Sequence, residues 1–598
     1  MPLGFIFYAI LIVAGPLLIM PFGRLKHIRK YGAALTIMLA SAGALTVLLC
    51  GFKDFGETKS YFLPGWPLPG ASMAVGLDAL SGLFLIPLLI LALASALYGP
   101  RYFDTHRPDL FHWLLVGLLL GAMVFILLAR NALLFILAWE LMSLASFFLV
   151  IHDKKNAQTL RAGWIYFVTT HISAAFLLAL FFLLSAPTAS FDFAAWHTIP
   201  VSAGRANIIF ILALIAFGLK AGFVPFHVWL PLAHPAAPSH VSALMSGIMI
   251  KMGIYGILRV LTFIAPFHAW WGISLLILGA VSGTLGVLFA IGQHDIKRLL
   301  AYHSIENIGI ILLGLGMGMT GVAWGNEAVA LFGFAGALLH VVNHALFKSL
   351  LCLGAGSVIR QTGTGEIDRL GGLLKTMPWT GSFFLLGSAA ISGLPLLNGF
   401  ISEILIYSAG IISALQGDST GLAMAGLGAV VSLAIIGGLA AACFTKVFGA
   451  VFLGSPRIPA LTPPREVPLS MLAAMALLAL PCILIGLCSL CVIPFVLPAV
   501  NLFAASASSS GTQAVYTLTA VLSTLFIALI TLVSLAAGWR KLTGNRRPAA
   551  ENGVTWDCGY GTPSASMQYT ASSFGSPILK HFALAIAART TTQTSNSL

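Results

Sequence analysis

The sequence has very little charge. Asp, Glu, Lys and Arg make up 8% of its 598 residues, whereas a soluble globular domain carries roughly 25%. A soluble protein of this composition would have too few charged groups to cover its surface, so a soluble enzyme or binding domain is excluded. Hydrophobic residues make up 59% of the chain. We therefore expect an integral membrane protein, for which lipid is the solvent around most of the exterior.

Cysteine is scarce as well. The chain has seven, and only Cys488 and Cys491 form a C-x-x-C pair, inside an apolar run. Structural zinc and iron–sulfur sites usually need four ligands, so we interpret the pair as two small apolar side chains of a helix. We find no nucleotide loop, catalytic triad or haem motif. We therefore expect no metal and no redox cofactor in this chain.

The net charge of +13 does not indicate nucleic-acid binding. A nucleic-acid groove needs basic residues clustered on one face, and here Lys and Arg fall mostly in the segments between apolar runs. Their role there is to orient membrane helices. We expect the lipid bilayer, and not nucleic acid, to be the partner of this charge.

The sequence does contain many apolar runs of about twenty residues, the length that a helix needs to cross a membrane. We predict an all-α polytopic membrane protein with about fifteen transmembrane helices. The first run lacks a basic segment before it and has four basic residues behind it, so we expect a first span and not a cleavable signal. The predicted spans are residues 3–21, 31–51, 74–98, 112–128, 131–151, 163–185, 207–230, 240–264, 270–291, 299–319, 327–358, 379–412, 420–453, 467–497 and 514–538.

The positions of Lys and Arg predict the orientation. Segments that follow odd-numbered spans hold 22 of the 31 basic residues, and segments that follow even-numbered spans hold 4. Cytoplasmic loops carry the excess of Lys and Arg, so we expect the N-terminus outside and the C-terminus in the cytoplasm. We divide the chain into peripheral helices (1–110), a core (111–455), C-terminal helices (456–540) and a cytoplasmic tail (541–598), in which Ile578 to Ala588 indicates an interfacial helix.

Two of the spans are interrupted by proline and glycine beside a charged residue. Span 7 contains KAGFVPFH from Lys220 to His227, and span 12 contains GLPLLNGFISE from Gly393 to Glu403. The two breaks are five spans apart, so their helices cross the membrane in opposite directions. Paired breaks of this kind are typical of inverted repeats in transporters. We predict two inverted five-helix repeats, at about residues 112–264 and 270–453.

Seven charged side chains lie inside predicted spans. A charge at the centre of a membrane helix costs roughly 2.5–3.5 kcal/mol, so seven facing lipid would cost on the order of 20 kcal/mol. We therefore expect them to face one another, or water, inside the bundle. Arg259 is left out because it lies near a helix end and could snorkel to the interface. The seven are Glu140, Lys220, Lys251, Glu306, Lys348, Glu403 and Lys446.

We predict that Glu140 in span 5 modulates Lys220 in span 7. Pro225 has no N–H, so the carbonyl of Ala221 loses its helical donor and leaves a place for water beside the lysine. Burial disfavours a charged lysine and a nearby carboxylate favours it, so movement of the carboxylate can change the lysine's protonation. A static ion pair that only locks two helices together is the alternative reading.

Further along, Lys251 either continues the proton path or acts as a positioned counter-ion. His340, His344 and Lys348 follow at intervals of four residues, on one helix face. Two histidines at this spacing can bind zinc, but neutral histidine can also pass a proton between its two nitrogens, and we favour a stripe of protonatable groups that ends at Glu403. Three histidines flank the first break and could feed it or simply be hydrogen-bonded loop residues: His227, His234 and His240.

Three motifs carry a specific resemblance. The run FGLKAGFVPFHVWLPLAHPAAPSHVSALMSG from Phe217 to Gly247 resembles the antiporter-like subunits of respiratory complex I, Mrp cation/proton antiporters and membrane-bound hydrogenases. The runs that begin at His294 and at Gly393 are similar to two further motifs of that family. The resemblance covers roughly residues 70–455. HPAAPSH at 234–240, and the tail from Thr555 through Met567 to Phe574, resemble its hydrogenase-4 component B and formate hydrogenlyase subunit 3 branch.

The resemblance implies a carboxylate–lysine pair at Glu140 and Lys220, a relay lysine at Lys251, relay histidines at His340 and His344, and a terminal group at Glu403. It implies no role for Glu306 or Lys446. The implied function is proton or sodium translocation in the bacterial inner membrane by a subunit without redox cofactors. Its implied partners are other membrane subunits and a hydrophilic arm of nickel–iron hydrogenase and iron–sulfur subunits, with formate dehydrogenase left open.

Three other functions stay open at this point. The chain could be a stand-alone or Mrp-type sodium/proton antiporter subunit, a membrane subunit of an NADH:quinone oxidoreductase, or a scaffold that only anchors catalytic subunits. The sequence does not decide which ion moves or in which direction. The number of charges inside the spans argues against a pure scaffold, because each of them is costly in a membrane.

Overall fold

The protein is described by a computed structural model. It covers residues 2–19, 31–51, 59–63, 72–103, 110–198, 201–417, 419–457, 463–504, 509–543 and 568–582. The basic residues that follow the first predicted span, and the motif from Thr555 to Met567, lie outside these described residues. The core that carries the candidate site is described almost without interruption.

The described residues are mainly helical. Two short strands, β1 (Lys59–Leu63) and β2 (Met73–Leu77), precede the core. The helices are α1 (Pro2–Ile19), α2 (Ala33–Cys50), α3 (Ala79–Tyr102), α4 (Leu110–Leu128), α5 (Ala132–Val150), α6 (Ala157–Ser185), α7 (Phe193–Trp196), α8 (Ala203–Ala221), α9 (Leu230–Ala236), α10 (Ser239–Leu244), α11 (Ile250–Leu261), α12 (Ala269–Ile291), α13 (Ile296–Ala323), α14 (Glu327–Thr362), α15 (Pro378–Ile391), α16 (Asn398–Gln416), α17 (Thr420–Phe452), α18 (Leu469–Leu487), α19 (Ser489–Val500), α20 (Ser509–Leu542) and α21 (Ala571–His581).

The predicted membrane fold is confirmed. Fourteen helices in the described part are long and apolar enough to cross a membrane, and α1 supplies a shorter apolar helix where the first span is predicted. Each of the fifteen predicted spans therefore contains a helix. The sequence analysis did not foresee the antiparallel pairing of β1 with β2, in which Lys59 lies opposite Leu77.

Both predicted helix breaks are present. In span 7 the chain leaves helical geometry between α8 and α9, and in span 12 between α15 and α16. Span 8 contains an interruption that the sequence analysis missed, a π-helical segment at Met245–Met249 between α10 and α11. Span 14 is likewise divided, into α18 and α19. The inverted relation between the two five-helix halves stays a prediction.

Contacts between helix ends sort into two groups. We call the side with the segments after odd-numbered spans the odd face, and the opposite side the even face. Odd-face contacts join His112 to His240, Lys297 to Pro235, His294 to Asp368, and Arg457 to Tyr569. Even-face contacts join Arg130 to Ala74, Asn131 to Asp192, Trp196 to Phe263, and Trp271 to Asn207. Odd segments contact odd ones and even segments contact even ones, as alternating crossings require.

Polar side chains at helix N-termini fix where several of these helices begin. Asn131, Asn156 and Asn326 accept backbone N–H groups at the start of α5, α6 and α14, and Asp295 does so for α13. Such caps satisfy N–H groups that have no partner within the helix. The capped helices α13 and α14, together with the span from α10 to α11, are the most enclosed of the candidate membrane spans. They carry the centre of the candidate site.

Candidate functional site

Most of the charged residues predicted inside the spans are buried in the interior of the core. We give the name polar axis to five of them together with three buried histidines. Seven have no exposed surface, and the eighth, Glu403, is 8% exposed. The members of the polar axis are Lys220, Lys251, His303, Glu306, His340, His344, Lys348 and Glu403. The expectation that these charges face one another inside the bundle, and not lipid, agrees with their burial.

Lys220 lies at the last turn of α8, directly before the first break. Gly222 ends the helix in a left-handed conformation at φ 75°, which favours glycine because it has no Cβ. The ammonium group of Lys220 donates to the hydroxyl of Ser143, at 3.1 Å, and to that of Tyr166, at 2.8 Å. Tyr166 in turn lies 2.6 Å from the hydroxyl of Ser146. The ammonium group of Lys220 is thus hydrogen-bonded to a chain of hydroxyl groups.

Glu140 lies at the edge of the polar axis, and its charge interacts with that of Lys220. The structure records no hydrogen bond or ion pair between Glu140 and Lys220. One carboxylate oxygen of Glu140 lies 3.5 Å from Nε2 of His171, and the two side chains are 29% and 41% exposed. The physical reason is the helix geometry of α5: Ser143 faces the interior, whereas Glu140 lies at the edge against α6. Glu140 therefore sits beside the polar axis and not in it.

Lys251 is positioned by the π-helical segment. Its ammonium group donates to the carbonyl oxygen of Ser246, five residues earlier, at 2.6 Å. The hydroxyl of Ser246 lies 2.5 Å from that of Ser304 on α13. The charge of Lys251 also interacts with those of His344 and Lys348 on α14. This lysine therefore lies between the two halves of the core, where the sequence analysis expected a relay or a counter-ion.

The central pair of the axis is formed within α13. His303 Nδ1 contacts a carboxylate oxygen of Glu306, one turn away, and neither side chain is exposed. Gly286 on α12 lies against Glu306: an added Cβ there would come within 2.7 Å of the Glu306 backbone nitrogen. Lys348 on α14 donates to the carbonyl oxygen of Leu300. Glu306, which had no predicted role, and Lys348, which was predicted as part of the stripe on α14, thus lie at the centre of the axis, where their charges interact.

The histidines of α14 lie on one face, as predicted. Their ring centroids are 6.3 Å apart. His340 bridges two helices: Nδ1 lies 2.9 Å from the hydroxyl of Ser402, and Nε2 lies 3.1 Å from the side-chain oxygen of Asn307. His344 makes no hydrogen bond with the described residues through either nitrogen. A buried ring without partners is costly unless water reaches it, so the stripe has room for a hydrated proton path.

Glu403 follows the second break on α16. Gly393 in this break has a φ of 62°, and a Cβ added to it would lie 2.3 Å from Glu403 Oε2. Only glycine leaves space for that carboxylate. Asn343 of α14 donates to the Asn398 carbonyl at 2.6 Å, which ties α14 to the helix after the break. Glu403 is the neighbour in sequence of Ser402, the partner of His340.

The accessory candidates lie at the odd-face ends of the spans. Lys446 donates to the carbonyl oxygens of Ile291 and Gln293, at 2.6 and 3.0 Å, and so caps α12. His227 is half-buried and stacks on Phe289. The other two histidines are buried. His234 Nε2 lies 3.5 Å from Cys352 Sγ, and His240 Nε2 lies 2.8 Å from His112 Nε2.

Arg259 does not snorkel, contrary to the sequence expectation. It is buried and donates to both carboxylate oxygens of Asp78, at 2.6 and 2.9 Å, and Arg130 approaches the same carboxylate at 3.3 Å. Asp78 also accepts the N–H of Ser81 and so caps α3. In the sequence, an Asp directly before an apolar run predicts this cap. No local pattern predicts that the same Asp pairs with Arg259 and Arg130.

A cavity of about 820 Å³ opens at the odd face. Its walls come from segments after spans 3, 5, 7, 9 and 11, which meet beside the first break. Among the described residues, no three His, Cys, Asp or Glu side chains lie close enough to hold a metal ion. Lining residues include Tyr102, His152, Asn156, Arg161, Pro235, Ala237, Lys297 and Arg298. His152 is partly buried in this wall, and burial lowers its pKa below the ordinary value.

Comparison with known proteins agrees with this geometry. The protein family described as NADH:quinone oxidoreductase/Mrp antiporter, transmembrane, matches residues 129–431. The match covers both helix breaks and all eight members of the polar axis. This chain belongs to that family. The resemblance stated from the motifs is therefore confirmed, and the matched range falls within residues 70–455, the range expected from the sequence.

Individual family members resemble the chain over most of its length. It is 38% identical to hydrogenase-4 component B of Escherichia coli (strain K12), over 83% of this chain and 76% of the relative. It is 35% identical to formate hydrogenlyase subunit 3 of the same organism, over 86% of this chain and 81% of the relative. Among solved structures, it matches a chain of an archaeal membrane-bound sulfane sulfur reductase with a TM-score of 0.67 and 27% identity, over 80% of this chain and 75% of that one.

Proposed function

We propose that this chain translocates protons as the antiporter-like membrane subunit of a complex of the hydrogenase-4 or formate hydrogenlyase type. The observation that carries the proposal is the polar axis, eight buried ionisable groups in a largely apolar core. Ionisable groups inside a membrane protein mark ion pathways, because each would otherwise be costly to keep. The relatives named above supply the type of complex.

In the first half of the path, Lys220 exchanges a proton with the hydroxyl groups around it. Ser143 and Tyr166 accept from the ammonium group, and a hydroxyl can donate as well as accept. The charge of Glu140, one helical turn from Ser143, biases this exchange from the side. Water at the break next to Lys220 would carry the proton on to Lys251, since no direct contact joins the two lysines.

In the second half, the path runs along α14. Lys251 and Lys348 flank His344, and a proton that reaches this ring can move to His340 and then to Ser402 and Glu403. Each histidine accepts at one nitrogen and releases from the other. Glu403, beside the second break, is the terminal acid. The carboxylate of Glu306 offsets the positive charge of Lys348 in the centre.

The proposal also assigns a partner surface inside the membrane. Glu140 and His171 are partly exposed on α5 and α6, among apolar side chains such as Leu137 and Trp164 that are more than half exposed. A charge facing lipid there would cost roughly 2.5–3.5 kcal/mol. We propose that a neighbouring membrane subunit covers this pair and places a polar or charged group against it.

The remaining parts of the assembly follow from the family. A hydrophilic arm of nickel–iron hydrogenase and iron–sulfur subunits would carry out the redox chemistry, and formate dehydrogenase is a further candidate partner. The chain itself would bind no redox cofactor. We place the odd face, with its excess of Lys and Arg, in the cytoplasm of a bacterial inner membrane, so that the N-terminus lies outside.

The test is proton pumping by the assembled complex in sealed vesicles. Lys220→Met should lower the pumping rate at least tenfold while the complex remains assembled, and the matched surface variant Lys541→Met should leave pumping unchanged. Unchanged pumping in Lys220→Met contradicts the proposed path. Sodium/proton exchange by the purified chain alone in liposomes would instead support a stand-alone antiporter.

A further inference from the structure

We infer that a thiol–imidazole pair, Cys352 and His234, carries protons from the odd-face cavity to Lys348. The inference rests on the proposed function, because it supplies protons to Lys348, in the second half of the proposed path. It concerns two side chains that the path described above does not use. The polar contact between these two side chains is one that a purely apolar core position would not need.

The starting point is the position of His234 behind the cavity wall. Leu232 and Pro235, on either side of it in the chain, line the cavity, while the His234 side chain itself is fully buried. The cavity is large enough for many water molecules, since one water occupies about 30 Å³ of liquid. His234 therefore belongs to the segment that forms the cavity wall, with its own side chain behind that wall.

Lys297 holds this wall in place. Its side chain is 7% exposed, and its ammonium group donates to the carbonyl oxygen of Pro235 at 3.0 Å and to that of Ala237. These two acceptors flank the end of α9, where prolines leave backbone groups without helical partners. Lys297 thus fixes the loop that carries His234, and we regard it as a positioning residue.

His234 faces inward onto a cysteine. Its Nε2 atom lies 3.5 Å from Cys352 Sγ, within the range of a hydrogen bond to sulfur. Its Nδ1 atom makes no hydrogen bond with the described residues. A buried imidazole with one nitrogen occupied and the other unpaired is arranged to accept a proton at the unpaired side and release one at the other.

Cys352 leads directly to the polar axis. It follows Lys348 by four residues on α14, so the two side chains lie on the same face of the helix. The charges of Lys348, Lys297 and Lys251 all interact with the thiol. Lys348 donates to Leu300, which lies one turn beyond Lys297 on α13. The pair therefore spans the distance between the cavity and the centre of the axis.

The transfer balances without any further reactant. A proton from cavity water binds His234 Nδ1, and the proton on Nε2 passes to Cys352 Sγ. In the same step the thiol proton leaves for the neutral amine of Lys348, directly or through one water. No electron moves and no bond other than these N–H and S–H bonds changes. Rotation of the thiol and a flip of the neutral imidazole ring, which carries its N–H from the cavity side to the thiol side, reset the pair.

The experiment uses the assembled complex in vesicles and replaces the thiol. Cys352→Ala should lower proton pumping about a hundredfold, the lower end of the range for loss of a positioned proton-transfer group. Cys352→Ser, which keeps a group that both donates and accepts, should stay within twofold of the native rate. Cys443→Ala, which removes another buried thiol of the core, should pump normally. Native pumping in Cys352→Ala overturns the inference.

A second measurement covers the case in which the variants fail to assemble. In the native complex, a small methanethiosulfonate reagent added on the odd face should label Cys352 faster than Cys443 or Cys482 and should block pumping. A labelled Cys352 with native pumping overturns the inference, and so does labelling of Cys443 before Cys352. Loss of pumping in Lys220→Met together with native pumping in Cys352→Ala would reject this inference alone and leave the proposed function standing.

Discussion

The two predicted repeats place corresponding carboxylates in opposite surroundings. In the first repeat, Glu140 on the second helix is partly exposed at the edge of the bundle and contacts an exposed histidine. In the second repeat, Glu306 at the corresponding helix is fully buried and contacts the buried His303. The comparison shows that the first repeat exposes its charge at the edge of the bundle, whereas the second keeps its charge within the chain.

The odd-face ends of the repeats differ as well. Beside the first break the cavity opens toward Lys297. At the second repeat, α21 lies across the ends of α12 and α17: an added Cβ at Gly575 would meet Ile291 O at 3.2 Å and the Lys446 side chain at 3.9 Å. The odd face is therefore open beside the first break and covered at the second repeat.

The experiment with the largest expected effect tests the contrast between the two carboxylates. Glu306→Leu removes one partner of a buried pair and should destabilise the chain by about 3–5 kcal/mol. Glu140→Leu, at an exposed pair, should cost no more than about 1 kcal/mol but should abolish pumping. Thermal inactivation of the assembled complex in detergent measures the first effect, and vesicle pumping measures the second. Equal destabilisation by the two changes would remove the distinction between the repeats.

A smaller effect concerns the second break. Gly393→Ala would force a Cβ into the space of the Glu403 carboxylate and would hold alanine at a positive φ, at a cost of about 1–3 kcal/mol. We expect pumping to fall several-fold through displacement of Glu403. Gly437→Ala on α17 is the control, since an added Cβ there meets nothing within 4 Å. Identical pumping by the two variants would show that the position of Glu403 does not matter.

The smallest effect concerns the helix that covers the second repeat. Burial of Asp368 raises its pKa, but hydrogen bonds from Ser572, His294 and the Ala571 N–H outweigh burial and hold the pKa below its ordinary value. The carboxylate therefore stabilises docking of α21 at neutral pH. That contribution is lost as the pH falls through the lowered pKa.

Hydrogen exchange of residues 571–581 measures this docking. Protection should decrease only at acidic pH, below the usual titration range of an aspartate, and Asp368→Asn should weaken it at neutral pH by about 1 kcal/mol or less, as for other partly exposed ionic contacts. Protection that stays constant through acidic pH, or that Asp368→Asn leaves unchanged, would mean that other contacts hold α21.

The helices and both breaks could be predicted from the sequence because each has a local signal. Apolar runs of membrane length mark the spans, and Pro225 and Gly393 lie in segments where helical geometry ends. The alternation of basic residues predicted the same succession of crossings that the odd-face and even-face contacts show. The π-helical segment at Met245–Met249 had no such signal, since its residues suit an ordinary helix.

The candidate site was predictable only in part. A charge inside an apolar run is visible in sequence, so Lys220, Lys251 and Glu403 were found. Their partners depend on which helix faces which, and the sequence therefore assigned Lys220 to Glu140 and overlooked Tyr166. Asp78, His303 and Lys297 were missed for the same reason. His303 lies in the motif that begins at His294. The acid three residues after it, Glu306, was the signal that could have identified it.

The central claim is that one proton path crosses both repeats. The most direct test measures pumping in vesicles by three forms of the assembled complex: Lys220→Met, Glu403→Gln and the double variant. A single path predicts that each single change reduces pumping at least tenfold. It also predicts that the double variant pumps as fast as the slower of the two single variants. Two independent paths would leave about half the native rate in each single variant and none in the double, and that result would contradict the account.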